Sequence, residues 1–384
     1  MLTDTDIAEL VAFRHQLHRH PELSGQELAT AAAIASALQA LSPARILTGL
    51  GGHGVAAVFD SGEEGPTVLF RAELDALPIV ENSNVAWASL VPGCAHLCGH
   101  DGHMTMLLAF GRMLHRQPVA GGRIVLMFQP AEEDGSGARA VVADPRFEDI
   151  DPDWAFAIHN EPGLAFGYVG TREGLINCAS RGLAIRIAGR TSHAAEPELA
   201  LSPVGLIGDI VNHLESLGRG GALDDSFRLA TVTHVRVGKP SFGITPGDAE
   251  ILVTLRASTD GGVDAMEMAA RQEIDQLVRR QGLQVAFSAH DDFAASINHR
   301  EAVAVATRAL DELGIPHGSE GVPMRASEDF GVFGWGAKSA MLCLGAGPDH
   351  PALHQPDYDF PDDLIPIGAG IFATIARDLC TSES

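Results

Sequence analysis

Short, mostly apolar runs punctuate this chain at 55–59, 67–71, 123–128, 154–158 and 340–344, with longer segments of helical periodicity between them. A strand that is apolar on both faces needs cover on both, which a mostly parallel sheet flanked by helices provides. Helices are expected over 6–41 (broken at His20-Pro21 and resumed near Gly25), over 103–116 and over 365–379. The middle of the chain reads differently. A half-exposed strand at 183–187 is followed by a helix at 203–217, strands at 229–237 and 250–255, a helix at 263–281 and a strand at 283–287. That order is β-α-β-β-α-β, a ferredoxin-like α+β unit with an antiparallel sheet. The expected architecture is an α/β domain formed by 1–178 and 290–384, interrupted by an inserted α+β domain at 179–289.

The 384 residues suffice for two such cores. Lysine and arginine total 26 against 50 acidic residues, a formal net charge of −24. Such a body repels phosphate backbones and anionic lipid, so neither nucleic acid nor a membrane surface is expected as a partner. No stretch is apolar for long enough to span a bilayer. The start of the chain carries Asp4, Asp6 and Glu9 where a signal peptide needs positive charge. The five cysteines are scattered and odd in number, unlike a disulfide framework. A cytoplasmic location is expected.

The richest chemistry lies at 95–103, AHLCGHDGH, where three histidines, a cysteine and an aspartate precede a helix. Thiolate, imidazole and carboxylate are the ligands that hold a divalent metal, and Cys98 and His100 can converge on one ion from a turn. Glu132, Glu133 and Asp134 follow the apolar run 123–128, at the strand edge where open α/β sheets build their sites. Adjacent carboxylates point apart, so one can bind metal while its neighbour moves a proton. His159 follows the run 154–158, Asp75 follows 67–71, and His354 comes after 340–344. A lone histidine is more often structural than a ligand. Here the candidates share one kind of place, the C-terminal ends of different strands. The stretch 49–54, GLGGHG, matches a dinucleotide-binding pattern, but a strand follows it instead of a helix, and it reads as a turn. Asn298, Arg279 and Arg280 read as surface residues.

At these residues the chain resembles the dinuclear metallo-amidohydrolase family of aminoacylases, hippurate hydrolases and plant auxin–amino-acid conjugate hydrolases. The likeness begins with RHQLHRHPE at 14–22 and RAELDALPIVE at 71–81. It continues through HLCGHDGH at 96–103, QPAEE at 129–133 and HAAEP at 193–197, and ends with SEDF at 327–330 and LHQPDYDF at 353–360. The resemblance implies two divalent ions per subunit (zinc, manganese, cobalt or nickel) on Cys98, His100, Glu133, His159 and His354. It implies that Glu132 is the general base, that Asp75 orients the metal cluster and that His193 polarises the scissile carbonyl. It also implies a metallopeptidase-like fold whose inserted domain is a lid and homodimer interface, and an N-acyl amino acid as substrate.

Two positions depart from the family pattern. Glu73 replaces an aspartate. Gly243, in FGITP at 242–246, stands where relatives carry an asparagine that helps to hold the substrate. Arg256 is then a candidate for the substrate carboxylate, or a surface strand arginine. A dipeptidase or carboxypeptidase of the same fold is the alternative within the family. A non-catalytic binding protein would be expected to have lost a ligand or the base, and this chain has lost neither.

Overall fold

The computed structural model describes residues 2–381. Its chain forms two compact units. One runs to Ile176 and resumes over Ser296–Pro323 and from Glu328 onward; the other comprises Asn177–Ala295 and Met324–Ser327.

The first unit is built on an eight-stranded sheet. In chain order its N-terminal part has helices α1 (Asp4–Arg19) and α2 (Leu28–Gln39), strands β1 (Arg45–Leu50), β2 (Gly54–Asp60) and β3 (Thr67–Glu73), helix α3 (His100–Arg116), and strands β4 (Arg123–Gln129) and β5 (Trp154–Pro162). Thr3 and Asp6 close a capping box at the start of α1, each bonding the other's backbone N–H. The sheet centre is parallel: β4, β3, β5 and the later strand Lys338–Gly347 lie side by side. β1 and β2 join antiparallel at one edge. Every residue of β3 is buried, as a central strand covered on both faces requires. Alternate residues then divide between the two faces. Val68, Phe70, Ile124, Leu126, Phe156 and Ile158 enter the main core with helix α3 and the helix Leu364–Leu379. Each such large side chain contributes about 1.5–3 kcal/mol through burial.

Beyond the helix Arg300–Leu313 and several short strands that the sequence reading lacks, three differences bear on the site. β1 was not anticipated, because its exposed positions and Gly49 blur the apolar signal. Helix α3 starts at His100, three residues before the expected 103, since Gly99 supplies a left-handed start at φ 93°. β5 continues to Pro162, so His159 lies within the strand and not after it.

The second unit is a four-stranded antiparallel sheet in the order Arg228–Val237, Asp248–Ala257, Ala179–Ala188, Gln284–Phe293. Helices Ile207–Ser216 and Asp260–Arg280 complete a β-α-β-β-α-β sequence. Asp248–Ala257 alternates strictly between buried and half-buried residues, so one face is covered. The helix Asp260–Arg280 buries Val263, Met266, Ala270, Ile274 and Val278 at helical spacing, and Thr259 caps its start. The whole is an α/β fold carrying an inserted α+β unit. No helix among the described residues is long and apolar enough to cross a membrane.

Candidate metal centre

The parallel strands become polar towards their C-terminal ends, and these ends, with the segments that follow them, bring five candidate metal donors together. Cys98, His100 and His159 offer ligand atoms within 4.8 Å of one another; so do Cys98, Glu133 and His354, and so do His100, Glu132 and Glu133. The Cys98 sulfur is 3.5 Å from His159 Nε2, while His159 Nδ1 donates to the Asn160 carbonyl at 2.7 Å. His100 Nδ1 donates to the Asp75 carbonyl at 2.9 Å, which turns Nε2 towards Glu133 (3.8 Å) and Glu132 (3.9 Å). In both histidines one ring nitrogen is held by a backbone carbonyl and the other faces the cluster, the arrangement by which proteins orient imidazole ligands. His354 Nε2 lies 3.7 Å from Glu133.

Backbone geometry fixes these loops. Asp75 Oδ2 accepts from Ser24 Oγ (2.7 Å) and from the Glu133 N–H (2.9 Å), tying the loop after β3 to the loop after β4. The N–H of His354 bonds the Leu97 carbonyl at 2.8 Å. Ala131 and His354 adopt φ of 50° and 66°, a conformation that costs a non-glycine residue about 1 kcal/mol or more. A Cβ on Gly99 would overlap Asn160 Oδ1, so only glycine lets the Cys98–His100 turn sit against β5.

Around the donors lies a buried charge network. Arg71 bonds Glu73, Glu328 (2.8 Å), Asp329 (2.7 Å) and Gln129 (2.9 Å). Glu73 also accepts from His103 Nδ1 at 2.8 Å, and His103 Nε2 accepts the Asn160 N–H at 3.1 Å. These partners take up the side chain of Glu73, the residue that departs from the family's aspartate. Beneath the first turn of α3, Asp101 accepts from His18 Nδ1 at 2.8 Å and forms an ion pair with Arg14, whose Nε is 2.8 Å away. Sequence reasoning gives no role to Arg71, His103 or Asn160, most of whose partners are distant in sequence. It placed Asn298 on the surface, but Asn298 is buried and bonds the Met341 backbone at 2.7 and 3.0 Å.

The electrostatics favour a cation. Burial and the carboxylates of Glu328 and Glu133 hold the Glu132 pKa well above the ordinary range. Burial pushes Glu133 up to about 7, against the pull of His100. Burial and the Glu133 and Glu132 charges raise the Cys98 thiol. Burial opposes charge on His100, yet the Asp75 hydrogen bond and the Glu73 charge outweigh it and lift its pKa to about 10. A field that retains a proton there also attracts a metal. His100 Nε2, Glu133 Oε1 and Asp75 Oδ1 are buried without a hydrogen-bond partner among the described residues. Each such orphan costs about 1–3 kcal/mol, and a divalent ion would satisfy the first two. The residues fit a metal of the zinc, manganese, cobalt or nickel type.

The other candidates belong to the second unit. His193 and Gly243 are neighbours there: His193 pairs with Ile244 across a two-stranded ribbon, and Ala194 N–H bonds the Gly243 carbonyl at 3.1 Å. A Cβ on Gly243 would meet nothing within 4 Å. Arg256 bonds Ser327 Oγ at 2.6 Å and the Arg325 carbonyl, with no carboxylate partner among the described residues.

A largely buried donor cluster, open to solvent at His354, at the strand ends of an α/β sheet and with a spare carboxylate beside it, defines a metal-dependent hydrolase. Residues 69–378 match the profile of Peptidase family M20/M25/M40, and the chain belongs to that family. It is 30% identical to the hippurate hydrolase of Campylobacter jejuni over 370 residues, covering 96% of both chains. It is 29% identical to IAA-amino acid hydrolase ILR1-like 5 of Arabidopsis thaliana over 395 residues, covering 98% of this chain and 88% of the relative. Among solved structures it superposes on the YXEP protein of Bacillus subtilis, described as a dinuclear metal-binding peptidase of the M20 family. There the TM-score is 0.82, at 25% identity and full coverage of both chains.

Proposed function

We propose that this enzyme hydrolyses the amide bond of N-acyl amino acids, releasing a carboxylic acid and a free amino acid. The observation that supports this most is the pair of donor triads that share Cys98, set beside a buried Glu132. The names of the hippurate and IAA-amino acid hydrolases point to the same substrate class. Cys98, His100, Glu133, His159 and His354 would hold two divalent ions, as the description of YXEP suggests. When bound, such ions supply Lewis acidity and make water more acidic near neutral pH.

The chain's own residues take the remaining tasks. Glu132 removes a proton from the attacking water, and oxygen adds to the acyl carbon. Glu132 then delivers that proton to the amide nitrogen as the C–N bond breaks. Its high proton affinity suits both transfers. Asp75 keeps His100 and the Glu133 loop in place. His193 is proposed to donate to the carbonyl oxygen as negative charge develops on it. Arg256 is proposed to take the substrate carboxylate, which would supply the anion its guanidinium lacks. Gly243 leaves room where relatives carry asparagine, favouring a bulkier substrate. A homodimer through the inserted unit is proposed, supported by its open edge strand Arg228–Val237. A cytoplasmic setting is proposed, supported by five unpaired cysteines.

The YXEP description as a peptidase favours one second reading, cleavage of dipeptides or of peptide C-termini. Benzoyl-glycine, N-acetyl amino acids and dipeptides, each assayed with zinc, manganese, cobalt and nickel, separate the two. Metal-dependent release of amine from acyl amino acids is expected. Cleavage of peptides alone would move the assignment to the second reading.

A further inference from the structure

The reaction leaves one carboxylate at the active end of the sheet without a task. Glu161 lies two residues beyond His159 on β5, so strand alternation sets both side chains on the same face. It is half-buried, and no described residue hydrogen-bonds or ion-pairs with its carboxylate. Its neighbours differ in this respect. Glu73, Asp75, Glu328 and Asp329 each have a protein donor on their carboxylates. Glu161 pairs in register with Gly345, and Cys343 on that same strand feels the charge of both Glu161 and Glu328. Glu328 in turn lies in a carboxylate group with Glu132 and Asp329. Glu161 therefore shares a face and an end of the sheet with the carboxylate group of Glu132, the proposed general base.

An acid partly withdrawn from water and left unpaired is destabilising, and such violations persist where a ligand supplies the partner. The chain's net charge of −24 also draws cations towards it. We propose that Glu161 is a specificity-determining residue that accepts a cationic group of the substrate, the ammonium or guanidinium of an N-acylated basic amino acid. The proposal rests on the hydrolase reading of this site and specifies its substrate class.

Two matched pairs test it: Nα-acetyl-lysine against N-acetyl-norleucine, which lacks only the ammonium group, and Nα-acetyl-arginine against its neutral isostere Nα-acetyl-citrulline. In the metal-loaded wild type the charged member of each pair is expected to have a kcat/KM higher by about 10-fold or more, the scale of a charge-assisted contact. In Glu161→Gln the ratio falls to near 1, and Glu161→Lys turns it below 1. Calorimetric binding of free lysine against norleucine to the metal-loaded proteins reads the same preference without turnover. Ratios that are alike in wild type and Glu161→Gln, in turnover or in binding, overturn the proposal. If no acyl amino acid is cleaved yet the wild type still prefers lysine and Glu161→Gln does not, the hydrolase reading fails while the assignment of Glu161 stands.

Discussion

Phe70 and Arg71 are consecutive, equally buried, and face opposite sides of one strand. Phe70 packs among the rings of Phe110 and Phe372, with centroids 5.0 Å away, and of Phe156 at 5.8 Å. Arg71 meets Glu73, Glu328, Asp329 and Gln129. The helix-covered face is apolar along its length and supplies cohesion. The other face gathers charge towards the strand ends, close to the donor cluster. A period of two lets one strand serve stability on one side and chemistry on the other.

The sharpest way to split these roles is Glu132→Gln. Turnover is expected to fall by about 10²–10⁴-fold, while the melting temperature holds or rises, because one of three crowded acids is neutralised. Ordinary turnover would remove Glu132 from the mechanism. Phe70→Ala and Arg71→Leu should each lose roughly 3–5 kcal/mol in denaturant unfolding, for different reasons. The first opens a cavity; the second leaves buried carboxylates without their cation. Activity per folded molecule should survive the first and drop in the second, and equal activities would show that the faces are not functionally distinct. Gly99→Ala should cost about 1–3 kcal/mol and weaken metal retention, through overlap with Asn160. A pH slope, spread over several pH units, is the most gradual effect. Burial works against a charged His18, but Asp101 outweighs it and lifts its pKa to about 9 from an ordinary 6.5. The folded protein therefore binds the extra proton, so this stability is complete below pH 6.5 and fades as pH rises towards 9. The unfolding free energy should fall by up to about 3 kcal/mol across that window, and His18→Gln should flatten the trend.

Much of this division can be read from the sequence, because it rides on local pattern. Apolar runs mark β3, β4, β5 and Lys338–Gly347, and the acids after β4 declare the polar end. Cys98 and His100 stand out because they are two residues apart. What stays hidden depends on partners far along the chain. Arg71 meets Glu328 and Asp329 across more than 250 positions, and nothing local marks it as the counter-charge. Glu161 looks like any acid near a strand end until its lack of a partner is seen. Asn298 misleads for the converse reason: its amide completes the backbone bonding of Met341, and that burial leaves no local trace.

Counting metal ions per chain, by elemental analysis of protein reloaded with zinc or manganese, tests the account most directly. Two per chain are expected for the native protein, and fewer for a Cys98→Ala variant whose circular dichroism shows it folded. A native chain that retains no metal, or a variant with undiminished stoichiometry, would contradict it.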